Sequence, residues 1–324
     1  NRYLKQSRIS VHPFLLPETI QCRFASKNLE LHPYFLKEKR WFRREAVLEK
    51  AGSAFTAGFV FRVWHVFVRS VGRHRSELFM AEKPVRYPEL DGCRGLAIAM
   101  MIVFHFFVDL NFFGLPGPSP YHGFLKIFGI STATLFILVA GISAHLKAEK
   151  TPGFHKQVEV FLLRGGKLIL IGFGITIVTW WFLHGEGYVV FGILHLIGLA
   201  LILSPLFHRF FYTNLVLACI LLIVPLYFDI PSGPLWMAWT GMNPDGFTSI
   251  DYTPVIPWLA PFLLGLFIGK LMYPKGNQLR TWNPEVPKWV LPIIAAGKNS
   301  LIIYLIHQPV LIILLMFFTG KTVG

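Results

Sequence analysis

Three histidines, His105, His195 and His307, lie inside long apolar stretches of this chain. Imidazole is the side chain that most readily exchanges a proton near neutral pH. His105 follows Arg94 by 11 residues, and at about 100° per residue that interval falls only about 20° past whole helical turns. On a helix the two therefore share a face, about 16 Å apart along the axis. Asp91 stands one turn before Arg94 and Asp109 one turn after His105, each within side-chain reach of its neighbour. Three imidazoles at similar depth on three helices suit general-base chemistry or a proton relay. The plain alternative is that each satisfies a partner within a bundle; His307, for one, can take a carbonyl freed by Pro309. No carboxylate or cysteine joins these histidines in ligand spacing, so no metal is expected among them.

The elements that must hold these groups are set by composition. The 324 residues are 54% hydrophobic and only 15% charged, and mean hydropathy is +0.53. A soluble domain carries roughly 25% charge, so lipid is the expected solvent. Cys22, Cys93 and Cys219 lie far apart and fit neither a disulfide framework nor a zinc site. Apolar runs of about 20 residues recur over 94–113, 124–146, 162–183, 189–207, 211–228, 255–273 and 299–318. Backbone groups in lipid must pair internally, and the alternation of barrel strands is absent. The expected fold is all-α, a polytopic transmembrane bundle of about seven spans. Pro292 and the Gly297-Lys298-Asn299 turn predict a short interfacial piece before the last span.

Charge along the connections predicts orientation. Lys83, Arg86 and Arg94 precede the first span, and Lys147, Lys150, Lys156, Arg164 and Lys167 flank the second connection between spans. Arg209 lies in the fourth, and Lys275, Arg280, Lys288 and Lys298 lie before the last span. The intervening connections have no Lys or Arg, and the long one carries Asp229, Asp245 and Asp251. Such alternation predicts residue 80 in the cytoplasm and the C-terminus, with Lys321, outside. The net charge of +14 does not indicate a nucleic-acid partner, because residues 1–79 hold 15 of the 31 basic residues against 6 acids. Residues 1–79 are read as a basic segment outside the working part, either upstream of a native start at Met80 or an interfacial arm. Residues 80–324 are read as the transmembrane functional domain.

Four motifs then carry a family resemblance. They are Asp91-Gly-Cys-Arg94-Gly95 followed by His105 and Asp109; Phe191-Gly-Ile-Leu-His195-Leu-Ile-Gly; Asp251-Tyr252-Thr-Pro-Val-Ile-Pro257-Trp258; and Gly297-Lys298-Asn299-Ser300-Leu-Ile-Ile-Tyr304-Leu-Ile-His307-Gln308-Pro309. In this order, over about 85–318, they resemble the prokaryotic branch of the heparan-alpha-glucosaminide N-acetyltransferase-like membrane family. The Arg-Gly opening with a His 11 residues on is also similar to wider membrane acyltransferases that O-acylate surface sugars. The resemblance implies transfer of an acetyl or other acyl group from cytosolic acyl-CoA to a sugar amine or hydroxyl across a membrane, in a prokaryotic cytoplasmic membrane here. It implies acetyl-CoA as donor and no metal; its partners are acyl-CoA, a sugar or glycan acceptor and the bilayer, with a homodimer left open. In the eukaryotic relative the catalytic His follows the opening helix, and an Asn aligns with His105. His122, in Pro-Tyr-His-Gly, is the one His of that loop here, so His105 and His122 both stand as bases.

On chemical grounds the acceptor must lose a proton as it attacks a thioester, and imidazole is the usual base. His105, His122, His195, His307 and Asp109 are the catalytic candidates. Arg94, Arg164 and Lys298 line the predicted cytoplasmic edge, where they can hold CoA phosphates or serve only as positive-inside anchors. Asn299 and Ser300 can donate to a thioester oxygen or cap the last helix. Asp251 and Tyr252 begin a span from outside, as an acceptor lip or as surface residues. The competing function is a proton-coupled transporter or lipid flippase using the histidines as a relay, but internal repeats and paired broken helices are absent.

Overall fold

The computed structural model describes residues 87–274 and 287–320. The segment 1–79, Met80, Lys275, Arg280 and Lys321 lie outside the described residues. Eight α-helices occupy the rest: α1 (Pro88–Phe112), α2 (Gly123–Glu149), α3 (Phe154–Phe182), α4 (Ile193–His208), α5 (Tyr212–Tyr227), α6 (Val255–Met272), α7 (Leu291–Lys298) and α8 (Ser300–Thr319). Among the described residues there is no β-strand. Five helices, α1, α2, α3, α6 and α8, are long and apolar enough to cross a membrane. The apolar α4 and α5 have 16 residues each, about 24 Å of helix. Short α7, of 8 residues, stands where a short piece is expected before the last span. This is a polytopic helical membrane protein.

The helix ends depart from the apolar runs in instructive ways. Helix α1 begins at Pro88 and α3 at Phe154, six and eight residues before the apolar stretches at 94 and 162. Hydropathy marks where lipid begins, whereas hydrogen bonding carries the helix on into polar sequence. Arg94 is therefore inside α1, not ahead of it. In contrast α4 starts at Ile193, four residues after its apolar run at 189. The backbone there pairs sideways instead: Ile250 N–H donates to Gly187 O at 2.9 Å and Thr253 N–H to Phe191 O at 2.9 Å. That seam ties the loop before α6 to the start of α4. Helix α8 ends at Gly320, whose φ of +63° suits glycine and lets its N–H close on Met316 O at 3.0 Å.

Helices α2, α4 and α6 form the centre, with α3 on α4 and α5 on α6, while α1, α7 and α8 pack together and reach the centre through α2. The core comprises Ile137, Ala144 and Ala148 of α2, Leu196 and Ala200 of α4, and Trp258, Phe262, Leu263 and Leu266 of α6. Small residues set these contacts. A Cβ on Gly141 would lie 2.2 Å from Phe262 O, and one on Gly265 2.2 Å from Leu138 O, so α2 and α6 touch backbone to backbone. Outward, Leu170, Ile177, Leu226 and Phe317 are each at least two-thirds exposed, the surface a bilayer would cover.

Candidate functional site

Arg94 is anchored at one end of α1. Its guanidinium donates to Asp91 Oδ1 at 2.8 Å and also to Ser143 Oγ on α2. A cavity of about 140 Å³ opens beside it, lined by Ser300, Phe136, Ala140, Leu194 and Tyr304. Around this site α7 presses onto α1. A Cβ on Gly95 would fall 1.9 Å from Ile293 O, and one on Gly297 1.7 Å from Asp91 O. The two motif glycines thus form one contact between α1 and α7.

Tyr304 connects that cavity to a half-buried carboxylate. Its hydroxyl donates to Asp251 Oδ2 at 3.3 Å, and the Ile193 N–H at the start of α4 reaches the same oxygen at 3.3 Å. Residue 192 must be glycine-sized, because a Cβ there would lie 2.4 Å from Asp251 Oδ2. Gly192 has no capping side chain, so Asp251 supplies the anion that an exposed helix N-terminus favours. Burial holds the Asp251 carboxyl above the ordinary carboxylate range, against the opposing pull of the Ile193 amide, His105 and Tyr304. Asp251 is half-buried and turned toward Ile193 and Tyr304. Tyr252 does not offer its hydroxyl outward either; it bonds Ala238 O at 2.7 Å and Asn243 Oδ1, tying down the loop, and burial raises it to about 12.

The His105 and His307 rings meet edge to face, with centroids 4.9 Å apart. His105 Nδ1 lies 3.0 Å from Met101 O and His307 Nδ1 2.6 Å from Tyr304 O. A carbonyl only accepts, so each Nδ1 carries the hydrogen and each Nε2 keeps its lone pair. The His307 partner is the carbonyl one residue before the one that Pro309 leaves free. His307 Nε2 is buried with no hydrogen bond. Beyond the rings, Asp109 pairs with Gln308 at 2.5 Å and not with His105 as expected; Asp109 Oδ2 and Gln308 Oε1 are buried without partners. Tyr121 stands close by, its phenol raised by burial and by Asp109.

The remaining candidates are dispersed. His195 does not join the other two rings. Its Nδ1 accepts from Gly192 N–H at 3.3 Å, so its Nε2 carries the hydrogen, the opposite tautomer. It lies between Phe173 and Phe191, over Gly172, on a separate apolar cavity of about 290 Å³ reaching Trp239. His122 is exposed in the loop after α1, 3.3 Å from Ser119 Oγ. Arg164 and Lys298 are exposed, Arg164 one turn from the cavity residue Leu168. Asn299 caps the wrong helix: its amide donates back to Ala295 O at 3.0 Å, closing α7, and gives α8 no side-chain cap. Sequence reasoning passed over Tyr304, Gln308 and Ser143. Tyr304 sits three and four residues before His307 and Gln308, a helical-face spacing that points to it.

No curated protein and no solved structure matches this chain. A catalytic-domain family model matches residues 86–309, well over half its length, and takes in every helix from α1 into α8 that builds this cluster. By that match the chain belongs to the membrane acyltransferase family described as Heparan-alpha-glucosaminide N-acetyltransferase, catalytic.

Proposed function

We propose that residues 80–324 transfer an acetyl group from cytosolic acetyl-CoA to a sugar amine or hydroxyl on the other side of the membrane, with His105 as general base. One observation carries the assignment: His105 has its Nδ1–H fixed on the Met101 carbonyl and an unbonded Nε2, beside His307. Fixing one ring nitrogen orients the other as a base. Asp251 is positioned by Tyr304 and the α4 N-terminus.

The Arg94 cavity supports donor entry at that end. About 140 Å³ is well short of the roughly 300 Å³ and more of a drug-sized pocket. It suits the narrow thioester arm, leaving the CoA phosphates at the mouth, where Arg94, Arg164 and Lys298 supply cations. The acceptor nitrogen or oxygen attacks the thioester carbon while His105 Nε2 takes its proton. The carbon–sulfur bond breaks, the acyl group stays on the acceptor, and the proton passes to the leaving sulfur as CoA thiol. Asp109, Gln308 and Tyr121, at the opposite end of α1, offer polar groups to the acceptor, and the exposed His122 lies beyond them.

The test is acetyl-CoA binding and single-turnover acetyl transfer to glucosamine by purified protein in a bilayer disc. Saturable binding with transfer is expected. Binding and turnover both absent would overturn the acyltransferase assignment and leave a His-relay transporter as the account.

A further inference from the structure

Away from this cluster, the ends of α2 and α4 bring together His145, Glu149 and His208. His208 Nε2 is 3.2 Å from Glu149 Oε1, the His145 and His208 ring centroids are 5.2 Å apart, and one donor atom from each residue lies within 4.8 Å of the other two. His145 and Glu149 are four residues apart, on one face of α2.

His145 is the telling member. It is 1% exposed, and α6 makes room for it at Gly269, where a Cβ would lie 3.0 Å from the His145 Cβ. His145 Nε2 faces Tyr273 O at 3.1 Å, so that nitrogen carries the hydrogen. Nδ1 keeps its lone pair and is buried with no hydrogen-bond partner. An imidazole whose one N–H is held by a backbone carbonyl is the usual way a protein aims the other nitrogen at a metal. As a mere core histidine beside a His208–Glu149 ion pair, His145 would leave a buried polar atom unsatisfied.

We infer that His145, Glu149 and His208 bind a divalent transition metal of the Zn²⁺ class. Two imidazoles and a carboxylate form a three-ligand set that keeps a fourth position open. Tetrahedral donors about 2.0–2.1 Å from zinc stand about 3.4 Å from one another. The 3.2 Å pair already matches, and rotation of the half-buried Glu149 and His208 closes the wider gaps. Their partial exposure also gives the ion a way in. Lys270, the nearby cation acting on both histidines, has its ammonium over the Phe211 ring at 5.9 Å and opposes metal binding. Bound metal would clamp α2 to α4.

The test uses the full chain, purified, stripped with chelator and titrated with Co²⁺, then Zn²⁺. One equivalent of Co²⁺ with visible d–d bands, displaced by Zn²⁺, is expected, along with a Zn²⁺-dependent rise in melting temperature. Glu149→Gln and His208→Ala should each weaken binding about tenfold or more, and Lys270→Gln should tighten it. Glu149→Gln, at a half-buried helix end, carries the test if His208→Ala does not fold. Absence of stoichiometric Co²⁺ binding, or binding unchanged in a folded Glu149→Gln variant, would overturn the site and assign any residual metal to other histidines.

Discussion

His105 and Arg94 lie on one helix but face different partners, and their loss should show differently. His105 ends on a carbonyl and a neighbouring ring, whereas Arg94 holds Asp91 and Ser143 beside the cavity. His105→Ala should slow single-turnover acetyl transfer by roughly 10²–10⁴-fold while acetyl-CoA binding stays near wild type, as loss of a general base does. Arg94→Ala should weaken acetyl-CoA binding by about tenfold or more, the worth of a charge-assisted bond to phosphate. Normal transfer by His105→Ala would pass the base role to His122. Asp251 makes a separate prediction. Its folded pKa is raised above 3.8, so its contribution to stability is full below that value and is lost as pH rises through the folded one. Asp251→Asn cannot ionise and should flatten that fall when melting temperature is followed across pH. An unchanged slope would mean that this carboxyl ionises as freely in the folded chain as in the unfolded one.

Helix pairs in this bundle are set by glycines whose absent side chains let backbones meet. Gly95 and Gly297 are the sharpest case, because each faces carbonyl oxygen that a Cβ would overlap. Gly95→Ala or Gly297→Ala should destabilise by about 1–3 kcal/mol through overpacking and lower the melting temperature in detergent. It should also displace Arg94 and Ser300 from their shared cavity and weaken acetyl-CoA binding. Gly174 of α3, with nothing within 4 Å of a built Cβ, is the control. Gly174→Ala should be neutral or slightly stabilising, since alanine is the better helix former. Equal losses at Gly95 and Gly174 would show that the close approach of α1 and α7 is not what matters.

Across the whole molecule, alternating basic connections predict sidedness. In a background with Cys22, Cys93 and Cys219 replaced by Ser, Asp245→Cys should react with an impermeant thiol reagent on intact cells. Lys150→Cys, in the basic turn between α2 and α3, should react only after permeabilisation. Labelling of both from one side would break the seven-span topology. A chain beginning at Met80 should insert and keep the activity of the full chain, because every motif follows it. Failure of that shorter chain to accumulate would make residues 1–79 structural.

Sequence by itself determined the helical membrane class, five of the seven membrane-length runs, the short helix before the last span and the motifs of the family, because each depends on local hydropathy or on residue order. It also placed Asp91 beside Arg94, a pair one turn apart on a single helix. Only tertiary structure decided which polar groups meet. Matching depth suggested three histidines in one cluster, yet depth says nothing of azimuth, and the turn of each helix brings His105 to His307 while α4 aims His195 at Phe173 and Gly172. Asp251 had the look of a surface residue opening a span. It is turned toward Ile193 and Tyr304 because the seam of Ile250 and Thr253 with Gly187 and Phe191 folds its loop onto the α4 N-terminus, a contact across about 60 residues that no local pattern encodes. The same holds for His145, Glu149 and His208: the first two share a helix face, but the third arrives only when α2 packs on α4.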